Sequence, residues 1–307
     1  MRPGRRTRRT LRPMLVLAIA MLLGACSLAE SATTGSTEAT PTEAVAETSE
    51  PPRLENFDPA LFDESSTTIN NQWWPLTPGT QFVYEGTSVE NEEKIEHRLI
   101  VTVTDLTKEI AGVRTLVIME QDYQNDRLVE AELAFFAQDR DGNVWHFGQY
   151  RETYDETEFV GGRVFVQGIP EGARAGIMVQ ADPRPNTPDY SQGYGPPPYN
   201  WTDRARVAEL GAKASVAYGS FDDVLVIEEF NAEEPGAFQL KYYARGVGLV
   251  QVGWRGNDPN QEELELVDVV KLEGDALAEA RDKALELEKR AYLYASTPPV
   301  EVLKTGN

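Results

Sequence analysis

The chain is poor in the residues that most often carry chemistry or staples. Its 307 residues include one cysteine, Cys26, and two histidines, His97 and His146. A single thiol excludes an internal disulfide, so the fold must be stable through packing alone. Neither histidine has an acidic or cysteine neighbour at ligand spacing in the sequence, which leaves both as structural residues of strands and predicts no bound metal. No Gly-x-Ser-x-Gly elbow is present, and Gly219-Ser220-Phe221 reads as a turn, so no serine nucleophile is assigned. Basic residues are also scarce, 29 against 50 acidic, for a net charge of −21. That field disfavours nucleic acid and anionic lipid headgroups. No catalytic residue and no cofactor is predicted.

The basic residues that exist are concentrated at the start. Arg2, Arg5, Arg6, Arg8, Arg9 and Arg12 precede the apolar run Met14 to Leu23, which is too short to span a bilayer as a helix. Leu23-Gly24-Ala25-Cys26 follows at once. A basic start, an apolar core and a small-residue box ending in cysteine resemble the bacterial lipoprotein signal. The resemblance implies that Cys26 is diacylated and becomes the mature N-terminus, with the protein held to a membrane through lipid and facing the periplasm or exterior. Two acyl chains suffice for stable anchoring, at about 0.8 kcal/mol per buried methylene. Thr7-Arg8-Arg9-Thr10-Leu11 loosely resembles a twin-arginine export signal. Ser27 follows the cysteine, and the lack of Asp there favours the outer of two membranes by analogy with sorting signals. With the leader removed, 23 basic residues remain against 50 acidic, a net charge of −27.

Four stretches follow from composition: a leader over 1–25, a disordered tether over 26–56, a β domain over 57–272, and a C-terminal helix and tail over 273–307. The tether is almost all Ser, Thr, Ala, Glu and Pro, with no aromatic residue before Phe57, so it cannot bury enough apolar surface to offset ordering. Its reach as a coil is about 30 Å. The body alternates strand patterns with turn signals. Strands are predicted over 81–85, 95–103, 113–123, 128–138, 144–150, 163–167, 213–218, 224–230, 238–245, 249–254 and 262–271. Turns fall at Thr77-Pro78-Gly79-Thr80, Ala111-Gly112, Asp141-Gly142, Gly219-Ser220 and Gly246-Val247-Gly248. Many short strands with no helix between them predict a mainly β fold, a curved antiparallel sheet forming a half-barrel, barrel or sandwich.

Only the end reads as helix. Asp275 is its predicted cap, and Leu277, Ala280, Ala284, Leu287, Ala291 and Tyr294 recur at helical spacing, with Glu279–Lys283 and Glu286–Arg290 as i,i+4 pairs. The stripe is Ala-rich and narrow, which predicts loose docking on the body, or else a partner-binding helix. Asp139-Arg140-Asp141-Gly142-Asn143 has the acids of a calcium loop but lacks its glycine and distal acid, and reads as a hairpin turn. Paired acids such as Asp222-Asp223, Glu228-Glu229 and Glu233-Glu234 are expected to be solvated surface.

The most unusual segment is 182–201, with six prolines and the aromatics Tyr190, Tyr194, Tyr199 and Trp201. It is too Pro-rich for a strand and too aromatic for a passive linker. Those four residues form a candidate ligand or partner loop, by stacking on sugars, peptides or apolar groups. The plainer alternative is an ordered loop packing its own aromatics over an open end of the sheet.

Pro75-Leu76-Thr77-Pro78-Gly79-Thr80-Gln81-Phe82-Val83-Tyr84-Glu85-Gly86, Asp141-Gly142-Asn143-Val144-Trp145-His146-Phe147-Gly148, Tyr218-Gly219-Ser220-Phe221-Asp222-Asp223 and Lys241-Tyr242-Tyr243-Ala244-Arg245-Gly246-Val247-Gly248-Leu249-Val250 resemble a family of uncharacterised exported bacterial proteins and lipoproteins. The last stretch also resembles, more distantly, the half-barrel of lipoprotein-carrier domains. The resemblance implies an extracytoplasmic β fold and supplies no catalytic residue. The function expected is a non-enzymatic binding or envelope-assembly module for a lipid, glycan or protein, with a carboxylate-dependent envelope hydrolase as the alternative.

Overall fold

The computed structural model describes residues 53–155 and 158–303; Cys26, the leader and the tether up to residue 52 lie outside them. β1 (Thr80–Glu90), β2 (Glu93–Ile110), β3 (Val113–Gln124), β4 (Arg127–Gln138) and β5 (Val144–Asp155) form an antiparallel meander. β6 (Glu158–Val166) and β7 (Arg174–Val179) both pair with β5, along different parts of its length. After the short β8 (Tyr190–Ser191) and β9 (Gly193–Tyr194) comes a second meander: β10 (Arg204–Val216), β11 (Gly219–Phe230), β12 (Ala237–Ala244), β13 (Gly248–Gly256) and β14 (Glu263–Lys271). β14 returns to pair with β1 and joins the two meanders into one curved antiparallel sheet. The helix α1 (Gly274–Ala291) and β15 (Val300–Val302), which pairs with β2, complete the described chain.

The expected mainly β class and curved antiparallel sheet are what the structure shows. The strand order begins at β8 beside β10 and ends at β9 beside β7. Those two terminal strands are separated in the chain by one residue, Gln192. The proline-aromatic segment therefore bridges the two edges of the sheet, pairing with one edge before Gln192 and with the other after it. Gly176 makes the crossing possible: a Cβ at that position would collide with the backbone of Gln192 and Gly193.

The sheet has two cores because part of it is covered on both sides. Its inner face packs Leu116, Ile118, Phe136, Val144, Leu225, Ile227, Val252 and Leu266 under the segment carrying Ile69, Trp73 and Leu76. Its outer face packs Val117, Met119, Leu133, Phe135, Trp145 and Phe147 against α1 and, through Phe57 and Phe62, against the N-terminal segment. Leu116-Val117-Ile118-Met119 is continuously apolar for this reason, since alternate residues serve different cores.

Three expectations need correcting. The helix does not dock loosely, because Ala280, Ala284, Leu287 and Ala291 are buried in the outer core, where small side chains let the helix approach the sheet. Its cap position is Glu273, so Asp275 sits in the first turn and no side chain caps the helix. Glu279–Lys283 forms as a surface pair, but Arg290 turns inward to Glu152, leaving the predicted Glu286 pairing unmade. Several strands also exceed the sequence reading: β8 and β9 fall in the segment read as too Pro-rich for a strand, β15 falls in the tail, and two longer ones are hidden. β7 is hidden in the sequence by Gly176, and β10 begins at Arg204, where alanine and charged residues dilute the strand pattern.

Polar contacts lock the helix as well. Lys108 Nζ donates to Glu288 at 2.7 Å, with both side chains almost fully buried. Glu152, with no exposed side chain, accepts from Arg290 at 2.5 and 2.9 Å and from the hydroxyls of Tyr150 and Tyr154. Breaking a buried pair from one side leaves an uncompensated charge. Glu288→Ala should destabilise the fold by about 3–5 kcal/mol in urea melts, and Lys108→Met combined with Glu288→Leu by clearly less than the sum of the two single changes. Simple additivity would mean that the pair is not coupled.

Candidate functional site

Between the curved sheet walls lies a cavity of about 280 Å³. Its lining is graded along the strands, and each strand contributes through its alternate, inward-facing positions. Phe82 and Tyr84 of β1 give way to Ser88 and Glu90; Val101 and Leu99 of β2 to His97; Phe136 and Ala134 of β4 to Glu132 and Glu130. On β3, Ile118 belongs to the inner core, and Glu120, Asp122 and Gln124 follow it into the lining. Leu264 of β14 leads to Glu262, and Tyr243 of β12 to Lys241. The floor is apolar and closed by Trp74 and Leu76. The more exposed end is formed where β1 meets β2, β3 meets β4, and β11 meets β12, together with the 257–262 connection.

Ten carboxylates line this one space: Glu90, Glu120, Asp122, Glu130, Glu132, Asp203, Glu229, Glu234, Asp258 and Glu262. Against them stand Lys241 and His97, with Arg151 beside Glu130 at 3.5 Å and Arg163 also acting on Glu130. Register makes the crowding direct, with Glu120 opposite Glu132 and Asp122 opposite Glu130 on neighbouring strands. Like charges in such positions repel, and burial deepens the cost. Burial pushes the Glu130 carboxyl up to about 7 against the pull of Arg151, with Asp122 and Glu120 adding to the rise. Burial, then Glu120 and Glu130, hold Glu132 well above the usual carboxylate range. Asp203 is raised to about 7 by burial and by Glu229. Glu120 and Glu262 are raised too, mainly by burial.

His97 lies between two of these acids, Asp122 and Glu262. Its Nε2 lies 2.9 Å from Asp122 and its Nδ1 3.2 Å from Glu262, at ion-pair distance but without hydrogen-bond geometry. Burial works against its charged form; Asp122, Glu262 and Glu130 outweigh that and raise its pKa. Burial works against the charge on Lys241 too, and Glu229, Glu262 and Glu120 outweigh it. His146 is the opposite case. It stacks on Phe136 at 5.2 Å, its Nδ1 lies 3.2 Å from the Gln192 carbonyl, and burial lowers its pKa to about 4. Among the described residues, no three acidic, histidine or cysteine side chains converge as a metal-binding set.

The structure separates the four aromatics of the proline-rich segment. Trp201 lines the cavity, 5.5 Å from His146 and 5.6 Å from Phe165. Tyr199 packs on the same Phe165, and its hydroxyl accepts from the Val164 N–H at 3.4 Å. Tyr190 is buried in the inner core, and Tyr194 pairs with Arg174 at the sheet edge. Gln192, between them, donates to Glu229 at 2.7 Å. The sequence reading missed the carboxylates. Their signal was present: Glu120, Asp122, Glu130 and Glu132 fall at period two, in phase with Ile118, Ala134 and Phe136, and so on the inward face.

No protein-family model and no curated protein matches the chain. Two solved structures are similar to it at low level. One, from Bacteroides fragilis, is named as a candidate exported protein with a YmcC-like fold; it shares 11% identity at a TM-score of 0.37, over 66% of this chain and 100% of that one. The other, from Parabacteroides distasonis, is named as a candidate lipoprotein; it shares 10% identity at a TM-score of 0.36, over 65% and 99%.

The charge ring gives stability a defined pH dependence. Glu130 rises from 4.5, and Asp203 from 3.8, to about 7 in the folded state. The native protein therefore holds protons that the unfolded chain releases, and this stabilisation, complete below those ordinary values, is lost as pH rises through 7. His146, lowered from 6.5 to about 4, acts oppositely: its contribution is present above 6.5 and lost as pH falls through 4. The thermal midpoint should be higher at pH 6 than at pH 8, and Glu130→Gln should flatten that difference. A midpoint that rises steadily from pH 6 to pH 8 would contradict the assignment.

Proposed function

We propose that the protein is a lipid-anchored binding module of the cell envelope, held to its membrane through Cys26, that takes an amphiphilic ligand into the cavity of the curved sheet without transforming it. The polarity gradient of the lining supports this reading. An apolar floor of Leu76, Phe82, Val101 and Phe136 under a ring of carboxylates suits a molecule with one apolar end and one polar end. Of the lipid, glycan and protein classes expected from the sequence, the lipid class fits that division best. A cavity of about 280 Å³ admits a small molecule or the end of a chain, and no folded partner.

A second reading, hydrolysis by carboxylates, draws support from one feature. Glu132, its carboxyl held well above the usual range, faces Glu120 across β3 and β4, an arrangement that can keep an acid beside a base. The acids, however, run around the whole ring, which suits recognition of charge more than a single acid–base couple. Turnover of aryl glycosides or aryl esters, abolished by Glu132→Gln, would favour hydrolysis.

Titration with N-phenyl-1-naphthylamine, a neutral fluorescent amphiphile, should show saturable one-site binding. Leu99→Trp, which fills the cavity from β2, should weaken it by at least about tenfold while the far-ultraviolet circular dichroism stays native. Unaltered binding in a folded Leu99→Trp would place the probe elsewhere. Separately, Cys26→Ser should move the protein from the membrane fraction to the soluble fraction, and its retention in the membrane would refute lipid anchoring.

A further inference from the structure

The protein shows elsewhere how it neutralises a buried structural acid. Glu152 receives Arg290 and two tyrosine hydroxyls, and Glu228 lies between Arg206 and Arg255. Each of these carboxylates is met by a guanidinium together with at least one further donor. The cavity acids are treated differently. Glu130 feels Arg151 and, more weakly, Arg163; Glu132 feels Arg151 and accepts from the Gln149 amide at 2.8 Å. Glu120 and Glu262 both draw on Lys241, and Glu262 also on His97 and the Gln239 amide. Carboxyl groups in the ring therefore outnumber the basic groups that face them.

A second, independent feature points into the same space. Ser88 of β1 is only 6% exposed and lines the cavity, yet its Oγ has no hydrogen-bond partner. Register places it beside the ring: Gly86, two residues earlier on the same face of β1, pairs with His97, and Thr87 pairs with Glu263, next to Glu262. A buried hydroxyl left unpaired is destabilising, and a donor arriving with a ligand would recover that loss. Carboxyl oxygens and the free Ser88 hydroxyl make acceptors the majority of the polar lining, beside the donors Lys241, His97 and Trp201.

We propose that the ligand is an organic cation, a primary ammonium group on an apolar body, with the ammonium seated among Glu120, Asp122, Glu130, Glu132 and Glu262, and one N–H donated to Ser88 Oγ. This rests on the cavity being a binding site, as argued above. An ammonium favours the ionised form of the carboxyls beside it and carries three donors for their oxygens. The apolar body lies on Phe82, Phe136 and Leu264. An anionic amphiphile would add to the repulsion, and a neutral one would leave it unchanged.

Calorimetry with octylammonium, octanol and octanoate, matched in chain and differing in charge, tests this. Octylammonium should bind at least about tenfold more tightly than octanol, with octanoate giving no measurable binding. Glu120→Gln combined with Glu132→Gln, each nearly isosteric, should remove that advantage and leave octanol within about twofold. Ser88→Ala should weaken octylammonium severalfold without affecting octyltrimethylammonium, which has no N–H to donate. Equal binding of octanol and octylammonium would overturn the cationic ligand and leave the cavity standing as a site. Failure of all three to bind would overturn the site itself. Should the double variant prove unfolded by circular dichroism, the Ser88→Ala comparison decides alone: equal loss for both cations refutes the ammonium seat.

Discussion

Repulsion among carboxylates confined inside a curved sheet is the constraint around which the rest of the structure is arranged. Direct cross-strand pairing of Glu120 with Glu132 and of Asp122 with Glu130 would open an unsupported sheet. The strands that carry these pairs are the ones with a second core behind them. Met119, Ala131 and Leu133 alternate with the acids and point outward, into the apolar layer under α1. Each strand thus buries apolar surface on one face while it presents charge on the other. The ion pairs of Lys108 with Glu288 and of Glu152 with Arg290 fix the helix that supplies this backing. Helix and acid ring, though on opposite faces of the sheet, are energetically one assembly.

Closure of the sheet belongs to the same arrangement. The two edges are joined through a chain segment that crosses between them at Gln192, which stiffens the cavity wall without a continuous ladder. The crossing residue donates to Glu229, a ring carboxylate, and its carbonyl faces His146. Asp189 holds Arg204 at the start of β10, on the outer side of the same crossing. The segment is thus a strap held to Arg204 through Asp189, with Gln192 and Trp201 reaching the cavity lining.

Much of the scaffold was legible in the sequence because its cause is local. Period-two alternation and glycine turns located the strands from β1 to β5 and from β11 to β14, and sheet curvature followed from their number. The elements that escaped depend on partners far away in the chain. β7 contains a glycine that is explained only by the backbone of Gln192 and Gly193 lying across it. The alanine stripe of α1 looks too thin for a core until it is set against Leu133 and Phe135, where small side chains are what close approach requires. The acid ring escaped for a different reason. In a chain with 50 acidic residues, composition makes any carboxylate look like solvated surface. Adjacent acids such as Asp222-Asp223 draw the eye but carry little information, because neighbouring residues of a strand face opposite sides. The informative pairs are two apart, at 120 and 122 and at 130 and 132.

That distinction bears on how the interior came to be polar at one end only. A strand with one buried face is ordinarily apolar at every inward position. Here the inward series on β2, β3, β4 and β14 change character within two residues, from leucine, isoleucine, alanine and leucine to histidine, glutamate, glutamate and glutamate. The change falls at a common depth on neighbouring strands, because register sets Ile118 against Ala134, and then Glu120 against Glu132. A boundary shared by strands so far apart in sequence is a property of the enclosed space and not of any one strand. Folding alone would be served better by apolar residues throughout, since each buried carboxylate costs desolvation that Lys241 and Arg151 only partly offset. The stability forgone at that boundary is the physical sign that the upper half of the cavity is shaped for something other than its own packing.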